Sequence, residues 1–84
     1  MDAMCKDIVG KVIVSEETGR KFGLIGDINF IIESGELLNI IIEAPTKMVE
    51  QMNFETDDRG RFIIPFSTVK SVGDFVIVSE KEIL

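Results

Sequence analysis

Three features of the chain predict an all-β fold, a small antiparallel barrel or sandwich of about six short strands. Its apolar side chains are mostly β-branched, with thirteen Ile and eight Val against four Leu. They recur at alternate positions in short runs, the period of a pleated strand. Turn residues separate the runs, and nowhere does the spacing fit a strand–helix–strand unit. β-branched side chains lose χ1 freedom in a helix and pack well on a pleated surface, so the Ile and Val excess selects strands. A length of 84 residues predicts one domain, 1–84.

The first strand is expected over Gly10 to Val14, with Val12 and Val14 on the inner face and Ile13 on the outer. Ser15 to Arg20 is polar, contains Gly19 and predicts a turn. In the next run Phe22, Leu24, Gly26, Ile28, Phe30 and Ile32 share one face by period 2. Gly23 and Gly26 inside it mark a sharp bend or a close backbone crossing, because glycine has no Cβ. Ser34-Gly35 suits a hairpin loop, since glycine reaches positive φ at little cost. Leu38, Ile40 and Ile42 then point inward, and Pro45 ends the strand.

For residues 46–59 the pattern leaves two alternatives open. One is a short helical turn capped by Thr46 and carrying Met48, Val49 and Met52; the other is an extended connection. Asp57-Asp-Arg-Gly60 is a turn signal. Phe62, Ile64 and Phe66 alternate inward, and Pro65 suits an edge strand or a bulge. Val69 and Val72 belong to a short element, Gly73-Asp74 to a turn, and Phe75 to Val78 to the last strand. The tail from Glu80 to Leu84 either frays or docks.

The chemistry open to such a chain is narrow. There is no His, Trp or Tyr and a single Cys, which excludes His-based acid–base catalysis, Cys/His zinc sites and an internal disulfide. Fifteen acids against nine bases leave a net charge of −6, the wrong sign for tracking phosphates. The basic residues are scattered without aromatic interleaving, so no direct nucleic-acid contact is expected. The start, Met1 to Cys5, lacks the regions of a signal peptide. No apolar run approaches the roughly 20 residues of a membrane-spanning helix. These features predict a cytoplasmic protein without membrane insertion.

At the level of motifs the chain resembles a PRC-barrel domain. Gly60-Arg-Phe-Ile-Ile-Pro-Phe-Ser-Thr-Val-Lys-Ser-Val-Gly-Asp74, followed by apolar Phe75 to Val78, is similar to the second half of that family. Gly10-Lys-Val fits its opening strand, Gly23 to Phe30 its glycine-bearing second strand, and Glu33-Ser-Gly35 its hairpin turn. The match covers a barrel core of about residues 6–79, with 46–59 the stretch that shows no matching pattern. The resemblance implies a small antiparallel β-barrel with Gly23, Gly26, Gly35, Gly60, Gly73 and Asp74 at structural turns. The same family includes the barrel of the photosynthetic reaction-centre H subunit, the ribosome-maturation factor RimM and stand-alone archaeal proteins. The last group, some of which resemble adaptors of the division ring, fits this length best. No catalytic residue or cofactor is implied.

Most of the polar clusters read as ordinary structure. Glu55, Asp57 and Asp58 lack the six to eight spaced oxygens of a calcium loop, so a solvated turn is the better reading. Glu16-Glu17 reads as another solvated turn, while Asp27 and Asp74 are expected to bond local backbone amides. The informative feature is the register opposite the inner set. Ile13, Ile25, Ile31, Leu37, Ile41 and Ile63 fall there, more aliphatics than a small monomer exposes by chance. They form the candidate interface. The resulting expectation is a non-enzymatic interaction module without cofactor or metal. It forms a homodimer and recruits a further protein, with an anchor of an archaeal division ring as one such partner. The alternative is a ribosome-maturation accessory acting through a ribosomal protein.

Overall fold

The computed structural model describes residues 8–30 and 33–83. Its strands are β1 (Val12–Ser15), β2 (Lys21–Phe30), β3 (Leu37–Glu43), β4 (Ile63–Pro65), β5 (Val69–Val72) and β6 (Phe75–Val78). Helix α1 (Lys47–Gln51) lies between β3 and β4, a 3-10 turn (Phe66–Thr68) joins β4 to β5, and helix α2 (Glu80–Ile83) follows β6. The strands form one sheet in the order β4-β3-β2-β1-β6-β5.

Covalent connectivity forces this sheet to curl. Laid flat, six strands would hold β4 and β5 about 24 Å apart, at roughly 4.8 Å per gap. The 3-10 turn that joins them rises only about 6 Å. The edges therefore approach each other without a hydrogen-bonded closure, and the result is a small barrel left open between β4 and β5. Pro65 ends edge strand β4, where its missing N–H is tolerated.

An all-antiparallel sheet was expected, and one pairing departs from it. β1 and β6 run parallel, with Val12 opposite Phe75 and Ser15 opposite Val78. The other four pairings are antiparallel. A parallel pair needs a long connection, and residues 16–74 lie between β1 and β6.

Inside the curl sit Ile13, Phe22, Ile25, Ile40, Ile64, Val49, Val76 and Val78, all fully buried. Each such aliphatic contributes roughly 1.5–3 kcal/mol through apolar burial. Phe54 packs edge-on against Phe22 at 5.5 Å and against Phe62 at 6.5 Å, which closes the core beneath α1. Segment 46–59 thus takes the helical alternative over its first part. Thr46 stands at the N-cap position without making the side-chain cap bond. Its hydroxyl donates instead to the Lys21 carbonyl at 3.0 Å, and its N–H donates to the Phe22 carbonyl, tying the helix to β2.

Bulges decide which side chains reach the core. Opposite β1, Ile13 pairs with Gly23 and Val14 with Lys21, so Phe22 is an extra residue. Opposite β3, Ile25 pairs with Ile42 and Asp27 with Ile41, so Gly26 is a second extra residue. An extra residue shifts the period by one. Phe22, Ile25 and Ile28 consequently all point inward at a spacing of three. A third bulge, at Leu38 in β3, leaves Leu38 exposed and packs Leu37 against the core, the reverse of the expected pair.

Gly23 and Gly26 are where β3 crosses β2 closely, as their lack of a Cβ suggested. A Cβ on Gly23 would sit 2.8 Å from Ile42 Cγ2 and 2.9 Å from the Glu43 carbonyl, and its φ is +140°. At Gly26 a Cβ would meet Glu43 Cβ at 2.8 Å. Among the other turn residues, Gly35 and Gly60 hold φ of +72° and +78°. Gly73 and Asp74 make the exposed β5–β6 turn.

The tail docks. Ser79 N–H donates to the Thr68 carbonyl, Lys70 pairs with Glu82 at 2.6 Å, and Ile83 packs against the core. Leu84 lies outside the described residues.

Candidate interaction surface

Cross-strand partners share a face of the sheet, so the register of β2, β1 and β6 fixes what points outward. One row runs Leu24, Val12, Phe75 across the three strands. The next runs Lys21, Val14, Ile77, and continues to Ser71 on β5. Between these rows Ile13 and Val76 turn into the core. Five apolar side chains therefore stand together on the outer face. Val12, Val14, Leu24 and Ile77 are half-buried, and Phe75 is 49% exposed.

The expected interface residues do not form this face. Ile13 and Ile25 are fully buried in the core, and Ile41 is 3% exposed. Leu37 and Ile63 are half-buried, and Ile31 lies outside the described residues. Two physical causes reversed the parity. Lys11 shares the register of Ile13 and so makes that face look wet, yet Lys11 precedes the strand and its Nζ reaches the Gly73 carbonyl at the barrel end. The bulges at Phe22 and Gly26 then shifted β2. An aliphatic outer face does exist, but Val12, Val14 and Leu24, expected inside, help to make it. Phe75 and Ile77 complete it through the parallel pairing, which the local pattern of Phe75 to Val78 does not encode.

A second feature lies further along the outer side, where β3 passes β2. Gly26, Asp27, Ile41, Ile42, Glu43 and Arg61 line a shallow open groove of about 410 Å³. Ile41, the register partner of both Asp27 and Ile63, lies beneath the groove and is only 3% exposed. The Ile28 N–H donates to Asp27 Oδ1 at 2.8 Å, the local amide bond expected of Asp27. Asp74 makes no such bond among the described residues.

Other carboxylates do structural work. Asp57 Oδ1 accepts the N–H groups of Arg59 and Arg61, and its Oδ2 takes Arg61 Nε and the adjoining guanidinium nitrogen, both at 2.8 Å. Partial desolvation pushes this carboxyl up, but the Arg61 amide and guanidinium together outweigh it and hold the pKa below the usual value. Glu17 lies in the exposed turn expected of it, and there also accepts the Ser79 hydroxyl at 2.8 Å and the Glu80 N–H at 2.7 Å. The Ser79 hydroxyl is the main cause of its lowered pKa. Thr18 and Arg20 extend the network to the Glu80 carboxylate. No group of His, Cys, Asp and Glu that could hold a metal ion occurs among the described residues. Nor is any of their helices long and apolar enough to cross a membrane.

A small curled β-sheet with an apolar outer face belongs to the class of domains that work by contact with another polypeptide. The chain is a member of the PRC-barrel domain family, whose model matches residues 1–84. A comparison with curated protein sequences finds no significant match.

Proposed function

We propose that this PRC-barrel is a non-enzymatic adaptor that docks another polypeptide on the outer face of β2, β1 and β6. The observation that carries the reading is the double row of Leu24, Val12 and Phe75 with Val14 and Ile77. Leaving Phe75 half in water forgoes apolar burial that a docked partner would recover. A second copy is the first occupant. A chain of 84 residues buries only about two-thirds of its surface alone, and association adds to that. A two-fold pair lays the same rows against each other. Support for a non-catalytic role is the absence of His and the engagement of Glu17 and Asp57 in holding turns.

Sedimentation at micromolar concentration tests this reading. Wild-type chain should sediment as a dimer, and Phe75→Asp as a folded monomer. A wild-type monomer, or a Phe75→Asp dimer, contradicts it. The cellular setting proposed with it, from the resemblance to stand-alone archaeal members, is assembly at a division site. Affinity capture that returns division proteins supports this setting, whereas ribosomal subunits would favour the accessory role in ribosome maturation.

A further inference from the structure

We propose that a second copy docks on the outer face of β2, β1 and β6 about a two-fold axis that runs across the strands, keyed by two symmetric ion pairs between Lys21 of one copy and Glu43 of the other. The inference rests on the reading of that face as a self-association surface, and adds the register and the charges that select it.

Each aliphatic row ends in a charge. Glu43 on β3 is the register partner of Leu24, so one row reads Glu43, Leu24, Val12, Phe75. The other reads Lys21, Val14, Ile77, Ser71. The acid and the base thus stand on the same side of the apolar strip, and both are exposed. Arg20, Arg61 and Lys70 each hold a carboxylate of their own chain, those of Glu80, Asp57 and Glu82. Lys21 and Glu43 form no ion pair among the described residues, although they occupy diagonal positions of one face. Gly26 gives Glu43 room to turn the other way. Glu43 Cβ lies 2.8 Å, and its Oε2 3.3 Å, from where a Gly26 Cβ would stand. The carboxylate therefore leans over β2, away from its own Lys21.

Sheets packed in the aligned manner keep their strands within about 30° of each other, so a two-fold axis in the interface runs either across the strands or along them. With the axis across the strands, the Leu24 row of one copy lies on the Val14 row of the other. Val12 then meets Val14 and Phe75 meets Ile77. Lys21 comes down on Leu24 beside Glu43, its alkyl stem on the leucine and its ammonium at the carboxylate. Face-to-face sheets stand about 10 Å apart, a gap that a lysine and a glutamate span together. Symmetry makes the pair twice. With the axis along the strands, each row is reversed instead. Lys21 then falls on Ile77, and Glu43 on Gly73, whose N–H donates to the Phe75 carbonyl; neither charge meets its opposite. A shift by half a strand spacing carries Lys21 to Ser71 but lays Leu24 on Gly73. The axis across the strands matches apolar with apolar and acid with base.

The test is sedimentation of Lys21→Glu (K21E), Glu43→Lys (E43K) and the double variant K21E/E43K beside wild type, at matched micromolar concentrations. Each single reversal sets like charges together twice and should weaken the dimer by about tenfold or more. The double variant should return to within about threefold of wild type. An equimolar mixture of K21E and E43K should dimerise as well, because in that heterodimer both pairs are again opposite in sign. Added salt should shrink the differences. Where circular dichroism shows that a reversal disturbs the fold, Lys21→Gln and Glu43→Gln take its place and should still weaken the dimer by about threefold. Charge variants that dimerise as tightly as wild type, a double variant as weak as the singles, or a mixture that stays monomeric overturns the keyed register, while a dimeric wild type keeps the docking face. A monomeric wild type overturns both.

Discussion

The Ser79 hydroxyl donates a 2.8 Å hydrogen bond to Glu17 Oε2, joining two residues 62 positions apart. Ser79 is fully buried, and the same carboxylate caps the first amide of α2. One side chain in the β1–β2 turn thereby anchors the C-terminal helix.

A pH dependence follows. The lowered pKa of Glu17 means that the unfolded state binds its proton first as the pH falls. The bond's contribution is complete above the ordinary value of 4.5 and is lost as the pH drops through the lower folded value. Thermal melting of wild type and Glu17→Gln should therefore differ at pH 7 and converge only once the pH has fallen through the lowered folded value, beneath 4.5. Equal melting temperatures at pH 7 would contradict the anchoring role.

The close crossing of β2 and β3 predicts an asymmetry among glycines. Gly23→Ala should destabilise by at least about 2 kcal/mol, because the methyl meets backbone oxygen at a φ disfavoured for alanine. Gly73→Ala has open space and no positive φ, and should stay within about 0.5 kcal/mol of wild type. Urea unfolding of the two variants checks both numbers, and comparable losses would refute the account of the crossing.

Phe54 is the lid on the core, touching Phe22 and Phe62 edge-on. Phe54→Ala should cost about 3–5 kcal/mol. Chemical denaturation measures this, with the midpoint moving and the slope unchanged. A loss under about 1 kcal/mol would show that α1 and its following loop are not part of the cooperative core.

Much of the fold was legible in the sequence for identifiable reasons. The β-branched excess and the turn residues located all six strands, and Pro65 marked an edge. Gly23 and Gly26 announced the crossing because only the absence of a Cβ permits it. An aliphatic outer face was legible in kind and wrong in parity. Val12-Ile-Val14 and Phe75-Val-Ile-Val78 are apolar at every position, so alternation could not say which set was wet. That choice depended on the β1–β6 pairing and on bulges at Phe22 and Gly26, which are tertiary. Glu17 and Ser79 were illegible as a pair, since nothing local links a turn glutamate to a serine near the other end.

The corrected parity reverses the expectation for two neighbouring substitutions, since the pattern had placed Leu24 inside and Ile25 outside. Ile25→Asp places a charge in the core, where no partner waits, and should unfold the barrel. Leu24→Asp, one position earlier, sits on the outer face and should leave the fold intact while impairing association. Circular dichroism beside sedimentation distinguishes them, and a folded Ile25→Asp would overturn the assignment of faces.

The most direct test of the docking face is the sedimentation of wild type beside Phe75→Asp at equal micromolar concentration. The prediction is a species of twice the 9.4 kDa chain mass for wild type and a folded species of 9.4 kDa for the variant. Wild type at 9.4 kDa, or both proteins at the same doubled mass, would contradict it.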